Sequence, residues 1–122
     1  MTFKELQEKV LEWADSHDLL HEENADKQFM KFIEEVFEFK TELDMNNERF
    51  TIYTIDKRIK FKPNKLKEMK TEMGDIIVTL IILCDQLGID PMECLERAYN
   101  KIKNRKGKTV GGKFIKEEDL KE

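Results

Sequence analysis

An all-α fold, a helical bundle of about four helices, is predicted by three features of the chain. Only 5 Gly and 2 Pro occur in 122 residues, so helix breakers are scarce. Apolar residues recur three and four apart over long stretches, the spacing of one helical face. Two helix starts are written in capping residues, Thr2 with Glu5 and Asp90-Pro91 with Glu93.

The first helix is expected over about 2–16, with Phe3, Leu6, Val10, Trp13 and Ala14 on its apolar stripe. A polar stretch from His17 to Asn24 ends it. The second helix is expected over about 25–44, with Phe29, Phe32, Ile33, Val36, Phe37 and Leu43 as its stripe. Asn46-Asn47 then reads as a turn. Residues 49–62 alternate β-branched and aromatic residues with charges, the pattern of a small β-hairpin or an extended insertion.

The third helix is expected over about 65–87, stopped by Gly88. Its run from Ile76 to Leu83 is apolar on nearly every side. A helix of that kind is buried all round, and a short chain hides it best inside a homo-oligomer. The fourth helix starts at Asp90-Pro91 and carries Leu95, Ala98, Tyr99 and Ile102. After Arg105, Gly107, Gly111 and Gly112 mark an extended or turned, basic C-terminal tail from about 106. The whole, 1–122, is of a size for a single domain.

Composition narrows the function classes. A net charge of -4 gives no global attraction to nucleic acid or an anionic membrane. The longest apolar run is too short to cross a bilayer, and no secretory signal is evident. Two cysteines without Cys-x-x-Cys spacing speak against a zinc site and for a reducing cytoplasm. Cys84 and Cys94 are expected as small core residues.

The chemistry lies in two acidic pairs. Glu35 and Glu38 share one helix face within Glu34-Glu35-Val36-Phe37-Glu38, and Glu72 and Asp75 share another within Glu72-Met73-Gly74-Asp75. Stacked like charges cost roughly 0.2–0.5 kcal/mol per pair. Both pairs border core-forming sequence, where carboxylates are costly unless paired or metal-bound. A solvated helix face explains one such pair well and two less well. Four carboxylates from two antiparallel helices would suit a hard cation, Mg²⁺ or Mn²⁺, rather than zinc. A di-iron reading lacks the Glu-x-x-His it needs. Mg²⁺ with few protein ligands implies a phosphate substrate.

The C-terminal third supplies the matching charge: Lys101, Lys103, Arg105, Lys106, Lys108, Lys113 and Lys116 precede the next acid, Glu117. Alone, such a run is most simply a solvated tail. Beside a carboxylate site it could neutralise a triphosphate. Gly107-Lys108-Thr109 echoes the end of a P-loop but lacks the earlier Gly and the preceding strand. His17 and His21 are spaced four apart in what reads as a helix end or loop, a weak metal pair. Trp13 is most simply core or interface.

These residues resemble the MazG-like, all-α nucleoside triphosphate pyrophosphatases, whose signature is E-E-x-x-E followed by E-x-x-D on a later helix. The likeness extends to Trp13-Ala14, to Gln28-Phe29-Met30-Lys31, to the stretch from Gly74 to Leu80, and to the stretch from Tyr99 through Gly107 to Lys116. Two departures are Phe37, where the family often has Gly, and the long segment between the motifs. The resemblance implies a Mg²⁺-dependent hydrolase that converts a (deoxy)nucleoside triphosphate to the monophosphate and pyrophosphate, assembled as a dimer or tetramer. By position it implies Glu35, Glu38, Glu72 and Asp75 as metal ligands and Glu34 as the residue that orients or deprotonates water. It places Gln28, Lys31, Asn100, Lys103 and Arg105 against the substrate. A catalytically weak, nucleotide-binding or regulatory protein is the alternative. A small nucleic-acid module built on the basic tail is disfavoured by the net charge.

Overall fold

The computed structural model describes residues 1–50 and 63–120, with residues 45–50 and 63–64 given as helical backbone alone. Among the described residues, four helices and a two-stranded antiparallel sheet make an all-α architecture: α1 (Phe3–Ser16), α2 (Ala25–Phe50), α3 (Pro63–Gln86), α4 (Pro91–Ile102), β1 (Gly107–Val110) and β2 (Lys113–Lys116). Single 3₁₀ turns precede α2 and follow β2. The chain forms two compact units, Met1–Gly88 and Ile89–Glu122.

In the N-terminal unit, α1 starts on a complete capping box. The Thr2 hydroxyl accepts the Glu5 N–H and the Glu5 carboxylate accepts the Thr2 N–H. Such a cap contributes about 1 kcal/mol. The helix ends where Asp18 turns to a φ of 59°, a left-handed conformation that Asp tolerates. Both α1 and α2 pack on α3. The core is where they meet, at Ala14, Met69, Ile81, Ile82, Leu83 and Cys84. At its end the Gln86 amide donates to the Leu19 carbonyl at 2.7 Å, which ties α3 to the turn after α1. Gly88, at a φ of 70°, stops the helix as expected.

Three expectations change. Asn46-Asn47 is not a turn: α2 runs through it to Phe50. No Gly or Pro lies in 45–50, so nothing local ends the helix there. Next, the run from Ile76 to Leu83 is not buried all round within one chain, because Ile77 and Leu80 are each nearly two-fifths exposed. Finally, Cys94 is exposed on α4 rather than in a core, while Cys84 is buried as expected. The β-like patch at 49–62 falls, beyond Phe50, outside the described residues.

In the C-terminal unit, the Asp90 side chain caps α4 by accepting the Met92 N–H at 3.0 Å, with Pro91 in the first turn. The basic tail is a hairpin. Lys108 pairs with Ile115 and Val110 with Lys113 across a Gly111-Gly112 turn, both glycines at positive φ. The Glu117 N–H donates to the Lys106 carbonyl at 2.8 Å and closes the open end.

Candidate active site

Two polar ties set the register of α2 against α3. The Gln28 side-chain amide donates to the Thr79 carbonyl at 3.2 Å, early in α2 and late in α3. Lys65, at the start of α3, forms an ion pair with Glu42, far along α2. The two helices are therefore antiparallel. Glu35 and Glu38 lie between the ties on one helix, Glu72 and Asp75 between them on the other. The acidic motifs thus share one stretch of one seam.

Within it Glu72 is the constrained member. Its Oε2 is buried without a hydrogen-bond partner. Burial pushes its carboxyl above the usual range, and the nearby Glu42, Glu68 and Glu38 carboxylates push the same way, while Lys65 pulls against them. Glu35 is the other shielded acid, its side chain 13% exposed, and it accepts Lys31 at 3.2 Å. That carboxylate raises the Lys31 ammonium above its ordinary value. Glu34 faces solvent 4.0 Å from Lys31, and Glu38 and Asp75 are exposed.

The structure thus pairs Lys31 with Glu35 directly and sets Glu38 near enough to Glu72 for its charge to be felt there. Gln28, read as a substrate contact, donates one amide N–H to the Thr79 carbonyl across the seam. Asn100, Lys103 and Arg105 lie in the C-terminal unit. Arg105 is part-buried and lines an open depression of about 520 Å³ with Lys101, Asn104, Lys106, Lys116 and two glutamates. Asn100 lines another of about 570 Å³ with Arg97, Ala98 and Lys101.

Sequence reasoning passed over Glu42, Glu68 and Lys65. Glu42 is one turn past Glu38, and Glu68 one turn before Glu72. That spacing was available as a signal. Lys65 becomes visible only through its pairing across the seam. The histidines are locally engaged: His17 Nδ1 bonds the Trp13 carbonyl at 2.8 Å, and His21 Nε2 bonds Asp18 at 2.5 Å, which raises the His21 pKa. Trp13 is half exposed and so lies outside this chain's own core.

The donor set fits a hard divalent cation. An orphaned, buried carboxylate oxygen among like charges is costly, and a cation removes both the desolvation and the repulsion. Among the described residues, no three His, Cys, Asp or Glu side chains converge closely enough to hold an ion as they stand. Glu35 would have to exchange Lys31 for it. Also among the described residues, no helix is long and apolar enough to cross a membrane.

Neither a curated protein nor a solved structure matches the chain. The family model of the MazG nucleotide pyrophosphohydrolase domain matches residues 23–110, from the turn before α2 through β1, and includes both acidic motifs. With most of its length matched and the paired carboxylates on adjoining helices, the chain belongs to the MazG nucleotide pyrophosphohydrolase family.

Proposed function

We propose that this protein hydrolyses a (deoxy)nucleoside triphosphate to the monophosphate and pyrophosphate with Mg²⁺, or Mn²⁺ in its place. The observation that carries this reading is the buried, unpartnered Glu72 oxygen on an acidic seam, within the field of Glu42, Glu68 and Glu38. Glu35, Glu38, Glu72 and Asp75 would hold the cation, which supplies Lewis-acid polarisation of the phosphoryl group and charge neutralisation. Glu34, solvent-facing one residue from Glu35, orients or deprotonates the water that cleaves the α–β phosphoanhydride bridge.

Lys31 has two roles in this scheme. It neutralises Glu35 until the ligands are taken up, then turns its ammonium to the phosphates. Gln28, Asn100, Lys103 and Arg105 are the remaining proposed substrate contacts. Arg105 offers the planar fork that suits phosphate oxygens. Negative charge grows on the departing pyrophosphate, so these cations favour the transition state as well as binding.

The exposed apolar face of α3 supports a homo-oligomer, a dimer or tetramer. Leu66, Met73, Ile77 and Leu80 follow helical spacing along it, each about two-fifths exposed. A screen of the common nucleoside triphosphates for pyrophosphate release, with Mg²⁺ and with a chelator, tests the activity. Release of pyrophosphate from at least one substrate, abolished by the chelator, is expected. Substrate binding with no release would establish the nucleotide-binding alternative.

A further inference from the structure

At its Lys65 end the acidic seam already holds a cation, and it is covalently attached. Lys65 is the third residue of α3. Its ammonium pairs with Glu42 across the seam and lies 3.3 Å from Glu68 Oε2 on its own helix. The Lys65 and Glu42 side chains are only 21% and 25% exposed, so water screens this pair less than an ordinary surface bridge. Glu42 stands one helical turn from Glu38, and Glu68 one turn from Glu72. The ammonium therefore sits at the end of the same row of acids that the proposed function gives to the divalent cation.

Two effects follow from that placement. Without metal, the Lys65 charge offsets repulsion among the carboxylates and ties the two helices. With metal, the same charge repels a divalent cation one turn away. We propose that Lys65 is a positioning residue, a built-in counter-cation that occupies Glu42 and Glu68, keeps them out of the metal's ligand set, and holds Mg²⁺ affinity below that of the bare seam. This rests on the metal assignment of the proposed function. A simple tether is the competing role, and the two differ in sign. Cutting a tether loosens the site and leaves Mg²⁺ binding weaker or unchanged. Removing a counter-cation tightens it.

The test titrates MgCl₂ at constant ionic strength into the metal-free parent, Lys65→Met and Lys65→Arg, following heat of binding and Tm. Met keeps the aliphatic stem and drops the charge, and Arg keeps the charge. Lys65→Met should melt lower without Mg²⁺ yet bind it at least about threefold more tightly, so that Mg²⁺ raises its Tm more than the parent's. Lys65→Arg should stay within about twofold of the parent. Lys65→Gln, neutral but able to hydrogen-bond Glu42, carries the same expectation and stands in should the Met variant not fold. Parent-like or weaker Mg²⁺ binding by the neutral variant overturns the counter-cation role while leaving the metal assignment intact. Absence of Mg²⁺ binding by the parent itself overturns the metal assignment and the counter-cation role together.

Discussion

Glu72 concentrates the electrostatic cost of the seam in one side chain. Its folded-state pKa is raised by burial first and by Glu42 next. The folded chain therefore holds a proton that the unfolded chain releases at lower pH. Stability contributed by that proton is present below the ordinary carboxylate range and is lost as pH rises through the raised value. In chelator, Glu72→Gln should flatten this part of the pH profile and melt above the parent at pH 7, since an amide carries no charge to desolvate. Thermal melts from pH 4 to 8 would show it, and a lower Tm at pH 7 would contradict it. Glu38→Gln should lose at least about 100-fold in turnover with its helical CD intact, because charge goes and volume stays. Arg105→Ala should lower kcat/KM at least about tenfold, equivalent to about 1.4 kcal/mol, with Mg²⁺ affinity unchanged. Equal kcat/KM for variant and parent would make Arg105 part of a solvated surface. The acidic motifs could be read from spacing because a helix converts i,i+3 into a shared face. Lys65 could not, because its partner Glu42 is brought to it only by tertiary packing.

Among the elements, the helix starts at Thr2 and Asp90 were legible because caps are local chemistry, complete within four residues. The end of α2 was not, since a turn signal such as Asn-Asn yields to helix propagation when no breaker accompanies it. The C-terminal hairpin carried its own signal, Gly111-Gly112 between Val110 and Lys113, which the charge of the segment obscured. A two-stranded hairpin is marginal alone and depends on close packing. At Gly107 that packing is backbone against ring: an added Cβ would lie 2.1 Å from the Ile115 carbonyl oxygen and 2.7 Å from Phe114 Cζ. Gly107→Ala should therefore cost the hairpin at least about 1 kcal/mol. The expected readout is faster amide hydrogen exchange at Lys108 and Val110, with exchange in α3 unchanged. Unaltered strand protection would show that the hairpin relaxes around the methyl group.

For the molecule as a whole, the apolar run of α3 divides by depth. Ile81 is 4% exposed and belongs to the chain's own core, whereas Leu80 is 39% exposed and free to face a second copy. Leu80→Glu should lower the mass seen by light scattering at micromolar concentration and keep the helical CD. A parent that is already monomeric at that concentration would remove the oligomer reading. Hydrophobicity alone could not separate these neighbours, because sequence reports that a side chain is apolar and not which surface covers it. The family was legible from the motifs and their flanks, and the matched stretch, 23–110, spans them.

The ties at Gln28–Thr79 and Glu42–Lys65 differ in kind, and that has a consequence for how the seam responds to salt. One is a neutral amide bonded to a backbone carbonyl, the other an ion pair. Added salt screens the ion pair and leaves the neutral bond nearly untouched. Rising ionic strength should therefore loosen the two helices from the Lys65 end first, like a clasp opening at one side, while the Gln28 end keeps its grip.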